Sequence, residues 1–161
     1  MQPRKSEPVH HWTFVFPNDT NPQGTMFGGK LLAMMDIVAG IAATRFAGIR
    51  VTLASTDSIT FMAPLHVGDM VQVIARVVWT GRTSMVVKTD VFGEVMDTGT
   101  RKHCNSSYFI MIAIDENHSP VPVPSLLVET EDEKRDYAAA ELVKNQALVR
   151  KNRITAEMEL Q

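Results

Sequence analysis

Asp36 stands alone as an acid inside an apolar run, KLLAMMDIVAGIAATRFA, with Lys30 and Arg45 its nearest charged neighbours along the chain. An ionised carboxylate is rarely buried without a partner, so Asp36 needs either a structural partner or a chemical task as base or nucleophile. At about 100° per residue, Asp36, Gly40, Ala43 and Ala47 fall within about 40° of the direction of Gly29 on a helix. The carboxylate thus lies on a stripe of small residues, which admits either a closely packed chain or a substrate. Both readings stand at this point. Gly28-Gly29 opens the same helix. Such a pair serves a turn, or its free N–H groups serve a developing oxyanion that can approach closely because no side chain intervenes. The pair is not a phosphate loop, since the upstream glycine spacing and the following Ser or Thr are missing.

Other chemistries have less support. The histidines at 10, 11, 66, 103 and 118 show no metal-ligand spacing, so no metal is expected. There is no G-x-S-x-G elbow for a serine nucleophile. Cys104 falls mid-strand and reads as a small core or surface residue, and the Met-rich helix reads as core packing, although methionines also suit an adaptable apolar pocket.

The elements that must position these groups follow from periodicity and turn residues. His11 to Phe16 is a β-prone run stopped by Pro17, and Asn18 to Gly24 is a run of turn formers. The helix spans from Gly28 or Gly29 to about Gly48, with Leu31, Met35, Val38 and Ile41 expected to pack on a sheet. Arg50 to Met62 is β-prone with alternation in its second half. His66-Val67-Gly68-Asp69 is a tight turn. Met70 to Thr80 is a strand with Val71, Val73, Ala75 and Val77 on one face; Thr83 to Met96 and Thr100 to Ile114 are two more. Turns at hairpin spacing predict that the last four strands form an antiparallel meander. Residues 115–128 are proline-rich. Thr130 with Glu133 is a capping box that opens a second helix to about Asn152. The order β-α-β-β-β-β-α predicts an α+β fold in which one antiparallel sheet buries a face against the first helix. Residues 1–8 are expected to be a flexible arm, 9–128 the domain, and 129–161 a C-terminal helical extension.

At 161 residues, 45% apolar and 21% charged, the chain suits one domain. A net charge of −2 gives no reason to expect nucleic acid or an anionic membrane as partner. The single cysteine suits a reducing compartment; no apolar run follows the basic residues of the N-terminus, so no secretory signal is expected. Asp36 interrupts the best candidate membrane span. A cytoplasmic protein is expected.

Asn21-x-x-Gly24-x-x-Phe27-Gly28-Gly29 followed by Met34-Met35-Asp36-x-x-Ala39-Gly40 and a strand meander resembles the hotdog-fold acyl-CoA thioesterases, in the branch of the cytosolic long-chain acyl-CoA hydrolases and their bacterial relatives. The likeness covers residues 10–150. It includes Asp57-Ser58-Ile59-Thr60-Phe61, the Gly81-Arg82-Thr83-Ser84-Met85 turn, and Pro122-Val123-Pro124 with Glu129 to Lys134. Phe27 stands where several relatives carry His or Tyr. The resemblance implies a long central helix wrapped by a curved five-stranded antiparallel sheet. It implies homodimers whose sheets join, often as trimers of dimers (hexamers), and hydrolysis of acyl-CoA to free acid and CoA without a cofactor. Carried over by position, Asp36 is the catalytic acid, Asn21 works with it across the dimer interface, and the Gly28 and Gly29 amides polarise the thioester carbonyl. CoA phosphates require basic residues near a strand turn. Arg82 with Thr83 and Ser84, and Arg101 with Lys102, are the candidates, each also readable as a solvated charged turn.

Gly29 and Asp36 are seven residues apart, or about 10 Å along one helix, whereas base catalysis needs groups within about 3 Å of the reacting atoms. Two protomers remove the difficulty if one gives the amides and Asn21 and the other gives Asp36. Attack is then by a water that Asp36 deprotonates, or by Asp36 itself through an anhydride. The rival readings are an acyl-CoA-binding sensor without hydrolysis, which would be expected to carry a DNA-binding extension, and a hotdog hydratase or dehydratase, which usually recruits a His near the acid.

Overall fold

The computed structural model describes residues 1–159, so the last two residues of the expected C-terminal extension lie outside the described residues. The first helix, α1 (Gly28–Ala47), is entered from an extended Phe27 and closed by Gly48, whose φ of 70° lets its N–H cap the Thr44 carbonyl. Arg4 donates from Nη1 to the Phe46 carbonyl at 2.8 Å, satisfying another group at that end. Leu31, Met35, Val38, Ala39, Ala42, Ala43 and Phe46 are buried against the sheet. Ile41 is not among them: it is 40% exposed, beside Ile37 at 63%. The helix therefore carries two apolar faces, and only one of them packs on its own sheet.

The sheet comprises β1 (Val9–Phe14), β2 (Val51–Thr56), β3 (Met70–Thr80), β4 (Ser84–Val95) and β5 (Thr100–Ala113), in the order β1-β3-β4-β5-β2. All pairings are antiparallel. Val71, Val73, Ala75 and Val77 lie on the helix side with Met85, Val87 and Val91 of β4 and Phe109, Met111 and Ala113 of β5. The expected four-strand meander is corrected here. Only β3, β4 and β5 form one, while β2 lies beyond β5 at the sheet edge. The reason is the link of residues 57–69 between β2 and β3, too long for a hairpin turn. The expected strand to Met62 also stops at Thr56, and Asp57 to Met62 leave the ladder.

The capping box forms as read: Thr130 Oγ1 accepts from Glu133 N–H at 3.2 Å, and the Glu133 carboxylate accepts from Thr130 N–H at 2.9 Å. Hydrogen bonds from Thr130 and Glu129 N–H hold the Glu133 carboxyl below its ordinary range. The helix it opens, α2 (Glu131–Glu159), lies on the face of the sheet opposite α1, with Ala140 buried against Val78, Val86 and Ile110. Residues 1–8, read as an arm, run beside residues 125–127: Arg4 N–H donates to Ser125 at 2.9 Å and Leu127 N–H to Arg4 at 2.7 Å.

Asp136 clasps α2 to the sheet, pairing with Arg76 and, at 2.9 Å, with Lys88. Burial opposes the charge on Lys88, but Asp136 and Asp90 outweigh it and hold its pKa above the usual lysine value. That contribution is present in full below pH 10.5, the unfolded value, and is lost as pH rises through the higher folded value. Asp136→Ala leaves two cations facing each other. It is expected to lower the unfolding free energy by about 1–3 kcal/mol, the partial exposure of the groups reducing the penalty of a fully buried pair. Urea denaturation measures this, and Asp136→Leu combined with Lys88→Met is expected to recover part of the loss.

Candidate active site

The first turn of α1 is held from two sides. Asp19, in the 3₁₀ turn Pro17–Asp19, accepts from Phe16 N–H at 3.0 Å and pairs with Lys30 at 3.1 Å. These two contacts hold the Asp19 carboxyl below its usual value. Phe27 N–H donates to the Asp19 carbonyl at 2.7 Å. Among the described residues, the N–H groups of Gly28 and Gly29 meet no acceptor, and no side chain caps the helix. They are two free donors at the positive end of a helix. Two phenylalanine rings crowd these positions. A Cβ on Gly28 would lie 3.1 Å from Phe61 Cζ, and one on Gly29 would lie 2.6 Å from Phe27 Cε1.

Asn21 braces the loop in front of this turn. Its Oδ1 accepts from Gln23 N–H at 3.0 Å and Thr25 N–H at 3.1 Å, and its Nδ2 donates to Thr25 Oγ1 at 2.9 Å. Gly24, with φ of 76°, closes the turn. A cavity of about 390 Å³ opens beside it, lined by Asn21, Thr25 and Gly28 together with the apolar side chains of Met26, Leu31, Phe61, Met62 and Leu65. Such a shape admits an apolar chain that ends in a carbonyl near free N–H donors. Asp36 does not line this cavity. It sits half-buried on the flank of α1, about 10 Å up the helix from Gly29. Among the described residues it makes no hydrogen bond or ion pair, and so no structural partner accounts for it within the protomer.

The family description of the thioesterase superfamily matches residues 23–100. The uncharacterized acyl-CoA thioester hydrolase YkhA of Bacillus subtilis is 41% identical over 119 residues, covering 74% of this chain and 69% of the relative. This chain belongs to the thioesterase superfamily. The thioesterase is a hotdog-fold enzyme, a thioester hydrolase. A solved apo hexameric acyl-CoA thioesterase superposes with a TM-score of 0.89 at 38% identity, covering 93% of this chain and 97% of its own. The acyl-CoA hydrolase of Staphylococcus aureus, solved with butyryl-CoA, CoA and CoA disulfide, gives 0.84 at 33% identity, covering 96% and 95%.

The basic candidates of the thioesterase do not gather in one place. Ser84 pairs with Ile112 near the end of β5, whereas Arg101 pairs with Glu94 at its start. Arg82, Thr83 and Ser84 therefore lie at the end of the sheet where α1 finishes, and Arg101 and Lys102 at the end where α1 begins. Arg101 lies over the rings of Phe92 at 4.3 Å and Trp12 at 5.9 Å and bonds Gln72, which commits it to other side chains of the protomer. Lys102 carries no ion pair among the described residues, and its Cε approaches Gly93 together with the cavity residue Leu65. Cys104 is buried, and burial pushes its thiol pKa up, which fits a small core residue. Ser106, His103 and Asp90 meet on the sheet, with Ser106 Oγ 2.9 Å from His103 Nε2. Asp90 approaches that same Nε2 at 3.5 Å, so the trio lacks the two-nitrogen relay of a serine hydrolase. The roles of Phe61 and Asn105 were not assigned from sequence. Asp57-Ser58-Ile59-Thr60-Phe61 stood out only as part of the resemblance, and nothing local told that Phe61 covers Gly28.

Proposed function

We propose that this thioesterase hydrolyses acyl-CoA to free acid and CoA at a site shared by two protomers. One protomer gives Asn21 and the amides of Gly28 and Gly29, and the other gives Asp36. The observation that carries this reading is the division within one chain: Asn21 and Gly28 share a cavity while Asp36, unpartnered, lies outside it. The exposed Ile37 and Ile41 face of α1 and the edge strand β2, with Leu53 40% exposed, supply surfaces for a second copy. The hexameric neighbour supports a trimer of such dimers.

In this arrangement the thioester carbonyl points at the free N–H groups of the α1 start, which hold the oxyanion as it develops. Asn21 orients the carbonyl or the attacking water. Asp36 of the second protomer takes the water's proton, or attacks the acyl carbon to form an anhydride that water then opens. The CoA thiolate leaves in either route, so no serine–histidine pair is needed. Lys102, and Arg82 with Thr83 from a second copy, are the proposed phosphate contacts; Ser84 is buried and Arg101 is already engaged with other side chains, so neither is included.

Release of free thiol from acyl-CoAs of increasing length tests the function. Steady release of one thiol per acid formed is expected. Saturable binding without thiol release would leave a sensor, and hydration of an enoyl-CoA without thiol release would leave a hydratase.

A further inference from the structure

On the helix side of the sheet, β4 and β5 carry a fully buried polar patch. Thr89, Asn105 and Ser107 face the core there at 0%, 0% and 1% exposure. Buried polar groups are costly unless bonded, so the partners of these three matter. Thr89 Oγ1 donates to the Ser107 carbonyl at 3.2 Å, and Ser107 Oγ donates to Asn105 Oδ1 at 2.9 Å. Asn105 Nδ2 donates to the carbonyl of Thr60 at 2.8 Å, 45 residues away. An aliphatic side chain would serve the core better, and the carboxamide is explained by what the Thr60 carbonyl requires.

Thr60 belongs to the segment that leaves the ladder after β2. Asp57 N–H still reaches the Tyr108 carbonyl at 3.0 Å and Met62 N–H the Cys104 carbonyl at 2.9 Å. Between those two backbone bonds, Asn105 supplies the third tie from its side chain. The register slips at this place, Val91 pairing with Asn105 but Phe92 with His103, so that Cys104 is an extra residue. A bulge of this kind re-aims the neighbouring side chain. Phe61 lies between the tied residues Thr60 and Met62. Phe61 is 54% exposed as a residue, yet its ring rests against Gly28 and lines the cavity.

We propose that Asn105 is a positioning residue of the thioesterase: its bond to the Thr60 carbonyl fixes the Phe61 ring against the Cα side of Gly28 and so sets which acyl chains the cavity accepts. This rests on the reading of that cavity as the acyl site. Asn105→Asp keeps the size and the acceptor for Ser107 but as a carboxylate cannot donate to Thr60, so the assays are read up to about pH 9 to ionise a carboxyl whose pKa burial raises; Phe61→Ala removes the ring itself. In each, the ratio of kcat/KM for lauroyl-CoA to that for butyryl-CoA is expected to rise about tenfold, the scale of a change in apolar pocket fit. The double variant is expected to shift the ratio no further than either single one, because both act through one ring. Hydrogen exchange at the Met62 amide is expected to speed up in Asn105→Asp. An unchanged ratio in a folded Asn105→Asp protein, or additive shifts in the double variant, would overturn the proposal. Should Asn105→Asp fail to fold, an unchanged ratio in Phe61→Ala overturns it alone, since Phe61 is half-exposed and removal of its ring leaves the core intact. Failure of the catalytic reading is separate: it would appear as turnover surviving without Asp36, with Met62 exchange unaffected.

Discussion

Asp36→Asn is expected to lower kcat for acyl-CoA hydrolysis by about 10³-fold, within the range attributed to a positioned base, while KM changes less than about threefold. The substitution keeps the shape of the side chain and removes only its charge and basicity. The fold gives little reason for collateral damage. Asp36 is half-buried on the flank of α1, it bonds no other described group, and the stripe that packs on the sheet consists of Leu31, Met35, Val38, Ala42 and their neighbours. Thermal stability is therefore expected to hold within about 0.5 kcal/mol, the usual range for changes away from packed or paired sites. Thiol release at saturating substrate, CoA binding by calorimetry and a thermal melt read the three quantities separately. Turnover within tenfold of the unmodified protein would remove Asp36 from the chemistry. A large drop in melting temperature would instead return the acid to a structural role.

Much of the scaffold was legible because its signals are local. Gly28 and Gly48 bound a helix whose interior is unbroken by proline, and the alternation from Val71 to Val77 names the inner face of β3 without help from any other strand. What escaped depends on partners far along the chain. The placement of β2 beside β5 follows from closure of the link of residues 57–69 around the sheet, and no residue of β2 announces it. Asp57 to Met62 has β-branched residues and alternation, yet it leaves the ladder and is tied there by Asn105, 45 positions beyond Thr60. Ile41 shows a different limit. A helical wheel finds both apolar faces of α1 but cannot say which meets the sheet, and the face left over carries Ile37 and Ile41 in the open. The basic candidates show the opposite case: Arg82 and Arg101 flank the two turns that bound β4, so their separation was already implied by the meander of β3, β4 and β5. The spacing of Gly29 and Asp36 was legible from the start, and it leads to the sharpest test.

Mixing two inactive proteins is expected to restore activity. Asp36→Ala lacks the acid in both sites of a homodimer, and Asn21→Ala lacks the carboxamide that braces the cavity in both. After the two are unfolded together and refolded, half of the dimers are heterodimers if assortment is random. In each heterodimer one site pairs the intact Asn21 of one chain with the intact Asp36 of the other, while the second site combines both defects. Recovery should approach about a quarter of the unmodified rate, the share set by an isologous two-fold interface with two equivalent sites. A site contained within a single protomer gives a different result, because every chain in the mixture carries one defect and no complete set can form. The separation is wide: each variant alone is expected to sit about 10²–10³-fold below the unmodified protein, given the losses typical when a base or an orienting group is removed. The control refolds each variant alone, which fixes the background. Recovery no greater than the sum of the two backgrounds would place Asn21, Gly28 and Asp36 in one chain. Because Gly29 and Asp36 both belong to α1, the roughly 10 Å of helix between amide and acid could then be closed only by a break in α1 between them, not by a movement of the whole helix.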